Sequence, residues 1–338
     1  MVRYACWRLL ALAAGLLSAC SPPAREAPLE IGINPWPGYE LLYVAEAKGY
    51  LRDEGVDVHL VDYPSLGDTR EAFERGQLDG FASTLVELLH VRHTVEREPV
   101  IALVADYSNG PDVLLAQTDV RTVADLRGRR IGVELETVSL FLLARALQQA
   151  GLGLQDVEVV PHTQAQMQAS LLHGTVDAVV TYPPVSFDID HLPDVHVLFS
   201  SRDIPRELLD VISVDRTVFE SRRDDIEALR RAWHRAVSLY RTDPQAVIDI
   251  IAARERASAA DVAAALKGVE LVDGMQQAVF LGSAAQAGAP AVPPVGALLQ
   301  RQERAMADAG LLSRDVRSVC CIEHVRPPSP SLAGQVAL

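Results

Sequence analysis

Hydrophobic and polar positions divide the chain into two regimes. From Leu29 to about residue 200, short apolar runs alternate with segments of helical period, the pattern of an α/β fold. Leu29-Glu30-Ile31-Gly32-Ile33-Asn34 predicts a first strand, and Tyr39 to Arg52 a helix with Leu42, Ala45 and Ala47 turned inward, ending near Gly55. Val56, Val58 and Leu60 alternate with Asp57 and His59, as in a strand with one solvated face. A helix through Thr69 to Arg75, a strand beginning at Phe81 and another over Val100 to Ala105 follow, and the pattern repeats from Val113 to Phe199. After Pro205 the period is almost continuously helical, with helices expected over 224–241, 244–253, 258–268 and 298–309. Pro244 suits a helix start, because a first-turn N–H has no intrahelical partner to lose.

One stretch occurs twice. Gly76-Gln77-Leu78-Asp79-Gly80-Phe81-Ala82-Ser83-Thr84 is echoed by Gly174-Thr175-Val176-Asp177-Ala178-Val179-Val180-Thr181-Tyr182. Each copy closes a helix with glycine, turns on aspartate and enters a strand ending in hydroxyl groups. Two copies in similar order predict two related lobes. Ligands of open α/β sheets bind beyond the carboxyl ends of the strands, so Ser83-Thr84 and Thr181-Tyr182 would face one cleft from opposite sides.

The amino-terminal segment follows a different logic. Arg3 and Arg8 precede an uninterrupted apolar or small stretch, Leu9 to Ala19, which is too short to span a bilayer but fits a secretory signal peptide. Residues 1–19 are therefore expected to be a signal peptide, and Ser21 to Pro28 reads as a flexible spacer rich in proline and small residues. Leu17-Ser18-Ala19-Cys20 resembles the bacterial lipobox, which implies lipidation of Cys20 and a mature protein tethered to a membrane on the periplasmic side of the envelope. The other cysteines are Cys6, inside the signal, and the adjacent pair Cys320-Cys321; this spacing makes neither a disulfide framework nor a zinc site.

Composition narrows the function. With 338 residues, 49% hydrophobic, the chain is long enough for more than one core-bearing unit, and a 22% charged fraction excludes wholesale disorder. The net charge is −14, and Lys48 and Lys267 are its only lysines, so the basic footprint of a nucleic-acid binder is missing. No Gly-x-Ser-x-Gly elbow, His-Glu-x-x-His pair or phosphate loop occurs, so no catalytic residue, metal ligand or cofactor site is expected. His90 and His93 could share a helix face, but two histidines alone do not make a metal site.

Ile31 to Tyr39 (IGINPWPGY), followed by Ala45 to Leu51 (AEAKGYL), resembles the opening of nitrate/sulfonate/taurine-type substrate-binding proteins of ABC transporters, a group related to thiamine-pyrimidine-binding proteins. Asp106 to Asp112 and Val123 to Val133 extend the likeness, whose segments cover roughly residues 29 to 310. The resemblance implies a two-lobe type II periplasmic binding protein fold with a ligand cleft between the lobes. Lobe I would comprise 29–105 plus 201–315 and lobe II 106–200, with a tail over 316–338 that reads as disordered from Pro327 onward. It implies a solute-binding lipoprotein that closes on a small organic solute and delivers it to an inner-membrane ABC permease. A membrane sensor as recipient, or a role in thiamine-pyrimidine metabolism, are the alternatives.

Carried over residue by residue, the resemblance places Trp36 and Tyr39 in the pocket wall. Ser83 and Thr84 either meet the solute or cap the following helix; Asp106, with Ser108, either binds solute or fixes the hinge. In lobe II, Thr137 and Ser139 open a helix whose free N–H groups would hold solute, and Tyr182 would flank it. Glu134 and Glu136 stand where the family often has a glycine-serine turn. Together with Asp106 they would repel an anion, so the expected solute is an amine or a neutral heterocycle rather than an inorganic anion.

Overall fold

The computed structural model describes residues 27–281 and 295–312. The signal segment with Cys20, most of the spacer, Cys320, Cys321 and the proline-rich tail lie outside the described residues. The first apolar run forms β1 (Leu29–Ile33), followed by α1 (Glu40–Ala47), α2 (Tyr50–Glu54), β2 (Val58–Asp62), α3 (Leu66–Glu74), β3 (Gly80–Thr84), α4 (Leu85–Thr94) and β4 (Pro99–Ser108). The chain continues through β5 (Val113–Gln117), β6 (Arg130–Val133), α5 (Val138–Gln149), β7 (Glu158–Pro161), α6 (Gln164–Leu172), β8 (Ala178–Thr181), α7 (Val185–Asp190) and β9 (Val195–Ser200). It closes with β10 (Leu209–Asp215), α8 (Arg216–Ser221), α9 (Arg223–Thr242), α10 (Pro244–Glu255), α11 (Ala259–Lys267), β11 (Val269–Leu271), α12 (Gly274–Phe280) and α13 (Val295–Asp308).

These strands build two sheets, ordered β11-β4-β10-β3-β1-β2 and β7-β6-β8-β5-β9. In the first, β1 lies parallel to β2 and β3, while β10 runs antiparallel between β3 and β4. The second repeats that plan: β6 lies parallel to β7 and β8, and β5 runs antiparallel between β8 and β9. The sequence echo is the local expression of this repeat. Gly76 and Gly174 both adopt left-handed φ, +73° and +65°, closing α3 and α6. Asp79 then accepts the Glu30 N–H of β1 at 3.0 Å, and Asp177 accepts the Arg130 N–H of β6 at 2.9 Å. Each aspartate satisfies a donor at the start of the neighbouring parallel strand, so the same three-part unit recurs for a hydrogen-bonding reason.

The helix expected from Tyr39 to Arg52 is two helices. Gly49 sits between them at φ +74°, a conformation that does not continue a helix, and Ala47 is exposed rather than inward-facing. The long helix α9 buries Ile226, Leu229, Trp233, Ala236 and Val237 along one stripe and packs on α1, α2 and α10. Asp243 caps α10 by accepting the Ala246 N–H, with Pro244 in the first turn. Stretches 109–112 and 201–208 carry the chain from the first sheet to the second and back. Two lobes therefore face each other with their strand ends at the junction.

Candidate functional site

Between β1 and α1 the chain turns through Asn34-Pro35-Trp36-Pro37-Gly38. Gly38 is required here: a Cβ at this position would lie 1.7 Å from Asp106 Oδ2, so only glycine lets the turn approach β4. That approach sets Trp36 against Asp106, its ring N–H donating at 3.3 Å to both carboxyl oxygens. The Trp36 ring meets Tyr182 edge-on, with centroids 6.3 Å apart, and lies 6.4 Å from the Tyr39 ring. Tyr39 donates its hydroxyl to Asp210 Oδ1 at 2.6 Å. Asp210 is the register partner of Asp106 on β4 and of Thr84 on β3, so all three residues form one cross-strand row.

This row is buried and acidic. Burial pushes the Asp106 carboxyl from the ordinary 3.8 up to about 8, with Asp112 adding to the rise and the Trp36 N–H opposing it. Asp112 is raised to about 7, again by burial first and then by the charge of Glu87, against a hydrogen bond from Ser108. Asp210 is held well above its ordinary value by burial and by Asp106, Asp112 and Glu87 around it. Burial likewise raises Glu87, Tyr39 and Tyr182. The charges that act most strongly on these groups are other carboxylates, so the cluster carries no internal counterion. Among the described residues, Asp210 Oδ2, Ser83 Oγ and Ser139 Oγ are buried without a hydrogen-bond partner. A buried polar atom left unpaired costs about 1–3 kcal/mol, so each of these three is a position where an added partner would be stabilising.

The second lobe meets this surface at the start of α5. Thr137 caps the helix, accepting the Ser139 N–H at 3.2 Å and donating to the Glu134 carbonyl at 2.9 Å. Glu134 reaches across the junction to the Gly67 N–H at 3.1 Å, where a Cβ on Gly67 would stand 2.7 Å from the same oxygen. Tyr182 accepts the Leu66 N–H at 3.1 Å and turns its own hydroxyl to Glu134 at 3.4 Å. Glu136 is half exposed and paired with Arg70 of α3 at 2.9 Å. At the chain crossings, the Ser108 and Ser201 hydroxyls share a hydrogen bond at 2.7 Å, and Ser201 accepts the Gly110 N–H at 2.6 Å. Beside Trp36, an apolar hollow of about 30 Å³ is lined by Pro35, Pro183, Pro184 and Phe187 among others.

Of the residues singled out in the sequence, Trp36, Tyr39, Asp106 and Tyr182 stand together directly. Thr84 and Thr137 are joined through Glu87, which bonds the Thr84 hydroxyl at 2.6 Å and the Val138 N–H at 2.6 Å. Ser108 ends β4 and bonds Ser201 of a crossing segment, and Ser83 and Ser139 are buried with free hydroxyls. Sequence reasoning missed Glu87, Asp112, Asp210 and Ser201. Only Glu87 carried a signal, since Thr84-x-x-Glu87 is a capping box. His90 and His93 face Glu136 at 3.5 Å and Glu303 at 2.9 Å, and no group of three metal-ligating side chains occurs among the described residues.

Comparison with known proteins places this arrangement. A Haemophilus influenzae protein named for thiamine biosynthesis is 28% identical over 148 residues, 43% of this chain and 46% of that protein. The chain thus spans less than half the length of the curated relatives it matches. The alkanesulfonate-binding protein SsuA of Xanthomonas axonopodis pv. citri, solved bound to MOPS, superposes with a TM-score of 0.72 at 18% identity, covering 89% of this chain and all of that one. The desulfurization enzyme DSZB has the same fold at a TM-score of 0.59 and 18% identity, over 87% of this chain and 95% of its own. The two-lobe architecture is therefore that of the type II periplasmic binding proteins, one that also serves an enzyme. A family model described as NMT1/THI5 like matches residues 36–247, from Trp36 through both lobes and into the carboxyl-terminal helices, and the chain belongs to that family.

Proposed function

We propose that this protein is an extracytoplasmic solute-binding lipoprotein, anchored through Cys20, that captures a small organic solute between its lobes and hands it to an ABC permease. The solute is an amine or a nitrogen heterocycle. The observation that carries this reading is the buried cluster of Asp106, Asp112 and Asp210 without a counterion, with Asp210 Oδ2 and the Ser83 and Ser139 hydroxyls left unpaired. A cation or a ring N–H donor supplies what the cluster lacks, whereas a sulfonate would add charge to it. Trp36, Tyr39 and Tyr182 form an aromatic wall suited to the apolar part of such a solute. Donors and acceptors on both sides of the junction support closure, since a solute between them is fully satisfied only when the lobes are together.

Binding rather than catalysis is favoured by the chemistry of the cleft. No cysteine lies among the described residues, and His90 and His93 are turned to Glu136 and Glu303. Thermal shifts against a panel of amines, pyrimidines and sulfonates test the proposal, with Asp210→Asn and Trp36→Ala as controls. Amines or heterocycles should stabilise the wild type and lose their effect in both variants. A response to sulfonates alone, or an undiminished response in both variants, would refute the assignment.

A further inference from the structure

The carboxylate of Glu87 occupies a place that a solute could otherwise take. It is the third residue of α4 and is completely buried. One oxygen accepts both the Thr84 N–H at 2.8 Å and the Thr84 hydroxyl at 2.6 Å, closing the cap of its own helix. The other crosses between the lobes to the N–H of Val138, the first residue of the twelve-residue helix α5, at 2.6 Å. A helix N-terminus attracts anions because its first N–H groups have no intrahelical acceptors and the helix dipole places positive charge there. Here the anion belongs to the chain. One residue further on, the Ser139 hydroxyl, 2% exposed, has no partner among the described residues.

We propose that Glu87 is a resident anion: it latches the lobes together through the α5 N-terminus, bars anionic solutes from that seat and leaves Ser139 as the hydroxyl open to solute there. The inference rests on the reading of this junction as the solute cleft, and it supplies the reason a fold shared with an alkanesulfonate-binding protein would here refuse a sulfonate. The single carboxylate caps a helix in each lobe. Its removal therefore frees an anion seat and loosens the junction in one step.

Both consequences are measurable without knowing the solute. Glu87→Ala opens a space of carboxylate size, and acetate or methanesulfonate should then raise its melting temperature by several degrees while leaving the wild type unchanged. An equal response in the wild type, or none in the variant, overturns the proposal. Should Glu87→Ala fail to fold, Glu87→Gln decides: one amide oxygen can serve only one of the two helices. Small-angle scattering of the solute-free variant should then show a larger radius of gyration than the wild type, and an unchanged radius overturns the latch. Because these readouts omit amines and heterocycles, their failure is separate from a failure of the panel described above.

Discussion

Replacing Asp106 by asparagine should separate the stability of the cleft from its capacity to hold a cation. In the unfolded chain this carboxyl ionises near its ordinary 3.8, whereas in the folded protein burial holds its proton until about pH 8. Between those values the folded state binds a proton that the unfolded state has released, so the contribution of Asp106 to stability falls as pH rises from about 4 to about 8. At about 1.4 kcal/mol per pH unit, the loss by pH 8 is on the order of 5 kcal/mol. The Asp106→Asn side chain has nearly the same shape and no proton to lose. Its amide oxygen still accepts the Trp36 N–H, with a deficit of about 1 kcal/mol against the charged acceptor. The solute-free variant should therefore be more stable than the wild type at pH 8 by on the order of 4 kcal/mol, and indistinguishable from it near pH 4. Urea unfolding of both proteins at the two pH values measures this directly. A variant less stable at pH 8, or an advantage equally large at both pH values, would show that Asp106 is not a buried acid carrying an ionisation penalty.

Other consequences follow from the same contacts. A solute with a permanent positive charge needs Asp106 and Asp112 ionised, so its affinity should rise from pH 6 to pH 8 as groups near about 8 and about 7 release protons; calorimetry in buffers of different ionisation enthalpy should detect that release, and a falling affinity would contradict it. Tyr182→Phe leaves the Leu66 N–H without its acceptor at the lobe junction and should lower stability by about 1–2 kcal/mol in denaturant titrations. Trp233→Ala, in the fully buried stripe of α9, should cost about 3–5 kcal/mol through the cavity it leaves, with the ranking of solutes unchanged in the thermal-shift panel.

Much of the fold could be read along the chain because its determinants are local. The apolar alternation marked strands such as β1, glycine and aspartate marked the helix-to-strand turns of both lobes, and Asp243-Pro244 marked the start of α10. The break between α1 and α2 escaped the periodicity. The apolar period reads through Gly49, while the backbone there adopts a conformation that ends a helix turn. Trp36 could be placed in a turn rather than a strand because it follows Asn34-Pro35 and precedes Pro37-Gly38.

The acids were hidden for a different reason. Asp210 is a lone charge in the apolar run Leu209–Val214, and nothing nearby in sequence says that β10 will insert between β3 and β4 and set it beside Asp106. Glu87 shows its cap on Thr84 in the sequence, but its second bond, to Val138, depends on how one lobe is laid against the other. Periodicity and turn chemistry act over a few residues, so the sequence by itself determined the elements and the repeated half-fold. The shared burial of distant carboxyls, their raised proton affinities and the bond tying two helix ends together exist only after strand insertion and lobe packing remove those groups from water, and these the tertiary structure alone decided.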